Sequence, residues 1–424
     1  MNIYKNPKRE TWFEFVKRPI LKKQEVSEII KEIFAEVEKN GDQSLIDYAQ
    51  KFDSATINQL QVTQEEVEVT AALVSEDLKL AIQTAKENIT KFHASQINKI
   101  QTIETTKGVI CWRENRAIEK VGIYIPGGTA PLFSTVLMLA VPAQLAGCKE
   151  IILCTPPDQN GNINPAILYT AKLCGISKIF KVGGAQAVAA MTFGTESIPN
   201  VYKIFGPGNQ FVVAAKDFAQ NFDVAVDMPA GPSEVLVIAD ENAIPEFCAA
   251  DLLSQAEHGS DSQVIFISTD LKVLNKTIQE VKQQIQELPR NEFAQQSLNN
   301  SHFILLDSLY DALEFSNLYA PEHLILAVEK FENYIAEIQS AGSVFLGNYS
   351  CESAGDYASG TNHTLPTNGF AKNYSGVSLD SFVKKITFQN LSKEGLKNLG
   401  KTIELMADAE GLLAHKNAVS IRLK

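Results

Sequence analysis

VGIYIPGGTAPLFSTVLMLAVPAQLAGCKEIILCT, residues 121–155, decides the fold class of this chain. It opens with the β-branched run VGIYI (121–125), continues through an apolar helical stretch at 132–147 and closes with EIILCT (150–155). Strands that alternate with helices in this way indicate a parallel sheet. Because both strands are continuously apolar, we expect helices to cover both faces of that sheet. The stretch therefore predicts an α/β fold.

The alternation of strands and helices continues through two successive groups. The first group adds strands at KIFKV (178–182), VYKIF (201–205), DVAVD (223–227) and EVLVIA (234–239), with helices at 165–174, 185–193 and 209–219. The second group has helices at 245–258, 271–287 and 308–318, and strands at 263–268, 303–306, 323–326 and 343–347. Two β/α units are the simplest account of this order.

The flanking regions differ from this core. In QEVSEIIKEIFAEVEKNG (24–41) apolar residues recur at three- and four-residue steps, which predicts an amphipathic helix. Thr63 and Glu66 form a capping box for a further helical run. A polar segment at 348–376 has no periodicity, and segments of this kind tend to be functional or disordered. Short amphipathic pieces follow it to the C-terminus.

Composition excludes several classes of protein. The chain has 424 residues, 45% of them apolar, and a formal net charge of −12, so we expect neither a long nucleic-acid groove nor an anionic membrane as a partner. The apolar stretch at 134–148 is too short to span a bilayer. The N-terminus has no apolar signal region, and the six cysteines form no CxxC pair. We therefore expect a cytoplasmic protein with reduced thiols.

Four of the six histidines stand beside residues that can share chemistry with them, whereas His93 and His302 are expected to be structural or solvated. Gln255 and His258 are three residues apart near the end of a predicted helix, so both project from one face. Their amide oxygen and imidazole could bind one metal ion. A charged histidine that stabilises the helix C-terminus is the alternative.

Glu322 and His323 lie side by side immediately before a predicted apolar strand. A neutral imidazole accepts a proton near pH 7, and a neighbouring carboxylate can tune it or activate a water molecule. This pair is therefore a candidate acid–base pair in a catalytic site. An exposed acid–base pair at a turn is the alternative.

Asp356 and His363 lie in the glycine-rich part of the polar segment, and His415 lies near the C-terminus. Together with Gln255 and His258, Asp356 and His415 would supply two imidazoles, a carboxylate and an amide oxygen. That set suits Zn²⁺ or another borderline divalent ion and leaves positions for a substrate. Because the spacing matches neither a zinc finger nor an HExxH motif, it does not establish a metal site by itself.

Three glycine-rich turns follow predicted strands: YIPGGTAP (124–131), VGGAQA (182–187) and FGPGNQF (205–211). Each leads into a helix, so backbone N–H groups and helix dipoles can face an anion at the carboxyl edge of a parallel sheet. A strict G-x-G-x-x-G fingerprint is absent. Three such turns on consecutive units favour a pyrophosphate site, although glycine turns also occur for purely geometric reasons.

The segments from Val121 to the C-terminus together resemble the histidinol dehydrogenase family, and the first hundred residues match it more weakly. The resemblance is carried by 121–148, GGAQAVAAMTFGTESIP (183–199), KIFGPGNQFV (203–212), DMPAGPSEVLVIAD (227–240), DLLSQAEHGSDSQV (251–264), PEHLI (321–325), AGSVFLG (341–347), ESAGDYASGTNHTLPT (352–367) and AHKNAVSIR (414–422).

The resemblance implies a role for each candidate residue. It implies that Glu322 and His323 are the catalytic pair. The implied ligands of one Zn²⁺ per subunit are Gln255, His258, Asp356 and His415. The implied NAD contacts are Tyr124, Gln186 and Asn209. The implied substrate contacts are Ser233, His323, Glu410 and the four metal-site residues.

The resemblance also implies an architecture. Two incomplete Rossmann-like parallel-sheet units would form the body, with a helical N-terminal region and a small helical C-terminal tail. The expected domains are a segment at 1–20 that packs with the tail, a first Rossmann-like domain of 21–120 and 233–377, an inserted NAD-binding domain of 121–232, and a tail of 378–424. In an intertwined homodimer the tail would cross to the partner, so that active sites are shared.

The implied reaction is the oxidation of L-histidinol to L-histidine through L-histidinal, with two NAD⁺, as the last step of histidine biosynthesis. His323 would remove a proton in each oxidation, and Glu322 would activate the water that hydrates the aldehyde. Zinc would hold the imidazole and amino nitrogens of the substrate and act mainly as a positioning template.

Three alternatives to this reading stay open. Cys148 or Cys154 could form a thiohemiacetal with an aldehyde, although neither has an activating neighbour in sequence. The enzyme could instead be a related zinc- and NAD-dependent dehydrogenase of another small amino alcohol or polyol. A non-catalytic scaffold with structural zinc is disfavoured, because structural sites normally close with four Cys or His ligands.

Overall fold

The computed structural model describes residues 2–18, 23–127, 131–229 and 231–424. The strands in this part of the chain are β1 (Asn2–Lys5), β2 (Thr102–Thr106), β3 (Val109–Ala117), β4 (Lys120–Tyr124), β5 (Glu150–Thr155), β6 (Lys178–Lys181), β7 (Lys203–Phe205), β8 (Ala225–Val226), β9 (Glu234–Ala239), β10 (Gln263–Ser268), β11 (His302–Leu305), β12 (His323–Ala327), β13 (Ser343–Leu346) and β14 (Val383–Leu391).

The α-helices are α1 (Trp12–Phe15), α2 (Lys23–Tyr48), α3 (Gln64–Ala71), α4 (Glu76–Ala94), α5 (Phe133–Ala146), α6 (Pro165–Leu173), α7 (Gly184–Phe193), α8 (Gln210–Ala219), α9 (Pro245–Ala256), α10 (Leu271–Gln284), α11 (Asn291–Asn299), α12 (Leu309–Tyr319), α13 (Glu352–Tyr357), α14 (Lys393–Ala409) and α15 (Leu413–Leu423).

Two parallel sheets form the body of the molecule. One has six strands in the order β1-β11-β10-β9-β12-β13, and the other has five in the order β6-β5-β4-β7-β8. Every pairing within both sheets is parallel. The predicted α/β fold with two parallel-sheet units is therefore confirmed.

Helices cover both faces of each sheet, as the continuously apolar strands predicted. On the five-stranded sheet, α2, α7 and α8 cover one face and α4, α5 and α6 cover the other. On the six-stranded sheet, α9, α10 and α11 cover one face, and α12 and Trp12 cover the other. Each fully buried large apolar side chain contributes about 1.5–3 kcal/mol, so the stripe of α2 at Ile30, Phe34 and Val37 fixes that helix on its sheet.

The N-terminal region packs differently from the grouping expected from the sequence. Residues 21–120 were grouped with the larger unit, whereas α2 to α4 pack against the five-stranded sheet. The segment expected to pack with the C-terminal tail adds β1 to the edge of the six-stranded sheet, in register from Asn2↔His302 to Lys5↔Leu305. The domain boundaries themselves stay a prediction.

A small antiparallel sheet was not predicted. Its order is β14-β3-β2, and β14 pairs with β3 over nine residues, from Val383↔Ala117 to Leu391↔Val109. The tail therefore contains a strand as well as α14 and α15. The strand sequences TIETT (102–106) and VKKITFQNL (383–391) are polar and mostly exposed, so they lack the apolar run that marks a buried strand.

The two parallel sheets present opposite edges to each other. A cavity of 120 Å³ is lined by Gly206 and Gly208, which follow β7, and by Ser233 and Glu322, which precede β9 and β12. The carboxyl edge of the five-stranded sheet thus faces the amino edge of the six-stranded sheet, and the candidate site lies between them. Among the described residues, no helix is both long and apolar enough to cross a membrane.

Candidate active site

The three predicted cofactor residues line one large cavity at the carboxyl edge of the five-stranded sheet. Tyr124, Gln186 and Asn209 all contact this space, whose volume is 1220 Å³. The phenol oxygen of Tyr124 accepts a hydrogen bond from the backbone N of Gly184 at 3.0 Å, and burial raises the pKa of Tyr124 to about 12. Since α7 and α8 both begin beside the cavity, it can hold a ligand that carries phosphates.

The third glycine turn is held by a buried ion pair. Lys216 and Asp227 pair with each other, Lys216 Nζ donates to the carbonyl of Gly206 at 2.9 Å, and Asp227 Oδ2 accepts from the Gly206 N–H at 2.8 Å. Gly206 has a φ of 134°, and a Cβ there would lie 2.1 Å from the carbonyl oxygen of Tyr124. Only glycine fits this close approach of two backbones, which fixes the turn against β4.

Glu322 and His323 are buried at the amino end of β12, which lies between β9 and the edge strand β13 of the six-stranded sheet. Glu322 Oε2 accepts hydrogen bonds from the backbone N of Glu234 at 2.9 Å and from Gln255 Nε2 at 3.2 Å. Burial raises the pKa of Glu322 to about 8, and the neighbouring His323 opposes that rise. A carboxyl group with a pKa near neutrality can exchange protons at physiological pH.

The hydrogen bonding of His323 leaves one ring nitrogen free. Nδ1 lies 3.3 Å from the carbonyl oxygen of Glu234, which can only accept, so Nδ1 carries the hydrogen of that bond. Nε2 has no hydrogen-bond partner among the described residues and lies 3.5 Å from Asp356 Oδ1. Burial lowers the pKa of His323, but Glu352, Glu322 and Asp356 outweigh it and raise the pKa to about 10.

Four buried polar atoms close to this pair have no hydrogen-bond partner within the described chain: Gln255 Oε1, His323 Nε2, Glu352 Oε2 and Asp356 Oδ1. His323, Glu352 and Asp356 offer ligand atoms that lie within 4.8 Å of one another. Buried polar atoms are nearly always paired, so several unpaired acceptors in one place need an explanation. Oxygen and imidazole nitrogen acceptors of this kind fit a divalent cation.

Gln255, His258 and Asp356, three of the four predicted metal ligands, lie in or beside this cluster. Gln255 is in the last turn of α9 and His258 follows that helix. Desolvation lowers the pKa of His258, and the charge of Asp356 opposes this effect, so His258 lies near Asp356 although it is exposed at the surface. The neutral imidazole that a metal requires is therefore favoured at His258.

His415 and Glu410 do not reach this cluster within one chain. His415 lies on α15 and Glu410 follows α14, and both are exposed in the tail. Ser233, by contrast, lines the 120 Å³ cavity together with Glu322. One chain therefore brings the predicted residues to the cluster and the two cavities except for the two residues of the tail, and the roles of all of them stay a prediction.

Glu352 was missed in the sequence. It is 1% exposed, and burial raises its pKa well above the ordinary value. The polar segment shows no periodicity in the sequence, but 352–357 form α13. Glu352 and Asp356 are four residues apart, so a helix places them on one face. Recognising this short helix would have identified Glu352.

The remaining histidines have structural roles. His363 uses both ring nitrogens: Nε2 lies 3.0 Å from Thr135 Oγ1, and Nδ1 lies 2.8 Å from the carbonyl oxygen of Asp356. It thus joins α5 to α13. His93 is fully buried beside Gln96, and His302 packs against aromatic rings, as expected.

The thiol alternative finds no support in the surroundings of the two cysteines. Burial raises the pKa of Cys148 to about 11 and that of Cys154 further still. A thiol of this kind is a poor nucleophile, because only the thiolate attacks. All six cysteines are free.

A buried His–carboxylate cluster, together with a large cavity at the carboxyl edge of one of two parallel sheets, is typical of a two-unit α/β enzyme. A sequence model of the histidinol dehydrogenase family matches residues 16–423. The chain belongs to this family.

Individual relatives are similar to this chain over its whole length. The histidinol dehydrogenase of Bacteroides thetaiotaomicron is 57% identical over 423 residues, which cover 100% of this chain and 99% of the relative. That of Campylobacter jejuni is 51% identical and covers 100% of this chain and 98% of the relative. The crystal structure of histidinol dehydrogenase from Elizabethkingia anophelis is 62% identical, with a TM-score of 0.98 over 100% of this chain and 98% of that one. The protein is thus a dehydrogenase of histidine biosynthesis.

Proposed function

We propose that this enzyme oxidises L-histidinol to L-histidine through L-histidinal, with Zn²⁺ and two NAD⁺. The observation that carries the proposal is the group of unpaired buried atoms on Gln255, His323, Glu352 and Asp356, which adjoins Glu322. The large cavity at Tyr124, Gln186 and Asn209 supports the second ligand, a dinucleotide.

The metal would be held by Gln255, His258 and Asp356, with His415 as the fourth ligand. The donor set fits, because Gln255 Oε1 and Asp356 Oδ1 are buried acceptors without partners in the described chain. When bound, Zn²⁺ supplies a fixed positive charge that orients the nitrogen atoms of the substrate. Glu352 brings a further carboxylate to the same cluster and supports it from outside this ligand set.

His323 is proposed to take the substrate proton in both oxidations. Its Nδ1–H faces the carbonyl of Glu234, so Nε2 is the nitrogen that would accept a proton. The surrounding carboxylates raise the pKa of His323 to about 10, and the charge of a bound metal ion beside Asp356 would offset them and leave Nε2 unprotonated. With NAD⁺ bound, the carbon atom that carries the deprotonated hydroxyl would give its hydride to the nicotinamide ring. Each oxidation therefore removes one proton and one hydride from the alcohol or from the hydrated aldehyde.

Glu322 is proposed to activate the water that converts the aldehyde into its hydrate. Its Oε2 is fixed by Gln255 and the backbone of Glu234, so the carboxyl group is oriented before any ligand binds. With its pKa near 8, it can take a proton from water and return it within one turnover. The first oxidation needs no water, which separates the role of Glu322 from that of His323.

Tyr124, Gln186 and Asn209 are proposed to contact NAD. Asn209 Oδ1 caps α8 by accepting from two backbone N–H groups at 3.0 and 3.2 Å, which holds the turn at the cavity wall. Gln186 and Tyr124 are buried in the same wall, and their rigid placement favours a single binding pose.

The enzyme is proposed to be a homodimer in which the partner's tail supplies the missing substrate and metal contacts. The support is that Glu410 and His415 are exposed on a tail that reaches no part of the cluster in its own chain. Ser233, which lines the 120 Å³ cavity, is proposed as the remaining substrate contact. We place the enzyme in the cytoplasm, where six free thiols stay reduced.

Removal of the metal tests the proposal. Dialysis against a strong chelator should abolish NADH formation from histidinol, and one equivalent of Zn²⁺ per subunit should restore it. Because Gln255, His258 and Asp356 are positioned by helices, the metal-free protein should keep its far-ultraviolet circular dichroism. Full activity in a preparation shown by elemental analysis to be metal-free would contradict the proposed zinc dependence.

A further inference from the structure

Asp53 has no role in the function proposed above, yet it lines the same large cavity as Tyr124 and Gln186. It is the last residue of a short π-helical turn, Ala49–Asp53. Its Oδ2 is buried and has no hydrogen-bond partner among the described residues. Buried polar atoms are nearly always paired, so this oxygen lacks a donor, which a ligand bound in the cavity can supply.

Asp53 differs from the other charged residue in the cavity wall, because its Oδ2 has no hydrogen-bond donor among the described residues. The described residues that line the cavity include two carboxylates, Asp53 and Asp158, and no Lys or Arg. Asp158 Oδ1 already accepts the backbone N–H groups of Asn160 and Asn162 at 2.9 and 2.8 Å. Lys51 lies over the ring of Phe52 at 5.2 Å and is not among the lining residues.

Two further observations place a nucleoside beside Asp53. Phe52, the preceding residue, also lines the cavity and is 52% exposed. Its ring stacks on that of Tyr48 with the ring centroids 5.4 Å apart, so the pair gives the cavity wall an aromatic surface. Burial raises the pKa of Asp53, and no cation or donor offsets the effect. A carboxylate accepts hydrogen bonds from a ribose diol but repels a phosphate. An unpaired acceptor next to an aromatic surface therefore suits an adenosine, because the acceptor can bind the ribose and the aromatic surface can contact the adenine.

We propose that Asp53 accepts the ribose hydroxyls of the adenosine half of NAD and excludes a dinucleotide that carries a 2′-phosphate. The inference rests on the proposed binding of NAD in this cavity. It assigns the choice between NAD and NADP to one side chain of the N-terminal region, outside the glycine turns of the five-stranded sheet.

The test measures binding of NAD⁺ and NADP⁺ to the full-length protein by calorimetry, without histidinol. Wild type should bind NAD⁺ and discriminate strongly against NADP⁺. In Asp53→Asn the ratio of the two affinities should fall roughly ten- to a hundredfold, which corresponds to the loss of one charged hydrogen bond and one repulsion. Asp53→Glu, which keeps the charge, should retain most of the discrimination.

Asp47→Asn is the matched control, because Asp47 is an exposed carboxylate one and a half turns earlier that does not line the cavity. It should leave both affinities unchanged. A purely structural role for Asp53 would lower both affinities alike, and this result would overturn the inference, as would a wild type that binds both dinucleotides equally. If wild type binds neither dinucleotide, the proposed NAD site itself is wrong.

Discussion

At the scale of single residues, Glu322 and His323 are neighbours in the chain but have different hydrogen bonds. Glu322 Oε2 is held by two donors, whereas His323 Nε2 is free. His323→Asn should slow the oxidation of both histidinol and histidinal by roughly 10²–10⁴-fold, because each step needs a proton acceptor.

Glu322→Gln should slow histidinal oxidation more than histidinol oxidation, because only the aldehyde needs water.

Stopped-flow measurement of NADH from each substrate separates these two effects. Glu329→Gln is the matched control, because Glu329 is an exposed carboxylate beyond the other end of β12, and both rates should stay at the wild-type level. A Glu322→Gln enzyme that is slower on histidinol than on histidinal would contradict the assigned role.

Glu352 is the residue that the structure adds to the site. Its Oε2 is buried without a partner in the described chain, and its carboxylate offers a ligand atom within 4.8 Å of those of Asp356 and His323. Glu352→Gln should weaken metal affinity by about 10–100-fold, which is the usual effect of losing a residue that supports the ligands. Asp356→Asn, which removes a ligand, should prevent loading altogether.

Metal content after dialysis against a weak chelator measures the loss. Glu241→Gln, at an exposed carboxylate, is the control and should load like wild type. Wild-type metal content in Glu352→Gln would show that its carboxylate does not support the metal.

At the scale of elements, the C-terminal tail is the part that one chain leaves incomplete. Leu405, Met406 and Leu413 are 56%, 62% and 65% exposed on α14 and α15. A run of exposed apolar side chains marks a protein interface. The tail also carries His415, which one chain leaves away from the cluster that needs it.

We therefore predict that two variants that are inactive alone regain part of the enzyme activity when they are mixed. In a mixed dimer of His258→Ala and His415→Ala, a crossing tail leaves one site with both defects and the other with none. Random pairing makes half of the dimers mixed, so roughly a quarter of wild-type sites should reappear after co-expression. An inactive mixture with confirmed mixed dimers would contradict the shared site.

At the scale of the whole molecule, the sequence predicted the elements that are buried and missed those that are not. EVLVIA and QVIFIS coincide with β9 and β10, because a strand covered on both faces must be continuously apolar. β2 and β14 have exposed polar side chains and are stabilised by partners distant in sequence, so no local pattern marks them.

Some residues of the candidate site could also be placed from the sequence, and others could not. Gln255 and His258 could be placed near each other from helical spacing, but α9 ends at Ala256, two residues earlier than the predicted end, so only Gln255 lies in the helix. Glu352 could not, because Gly355 within ESAGDY disfavours a helix, and tertiary contacts hold α13 in place. The position of His415 relative to the cluster could not be derived either, because no spacing in the sequence relates the tail to the cluster, and within one chain His415 is exposed on α15.

The most direct measurement of the central claim is the number of NADH molecules formed from limiting histidinol by the zinc-loaded enzyme. Two successive oxidations at one cluster, with His323 serving both, predict two NADH and one histidine for each histidinol consumed. One NADH per histidinol, with histidinal accumulating as the product, would contradict the account.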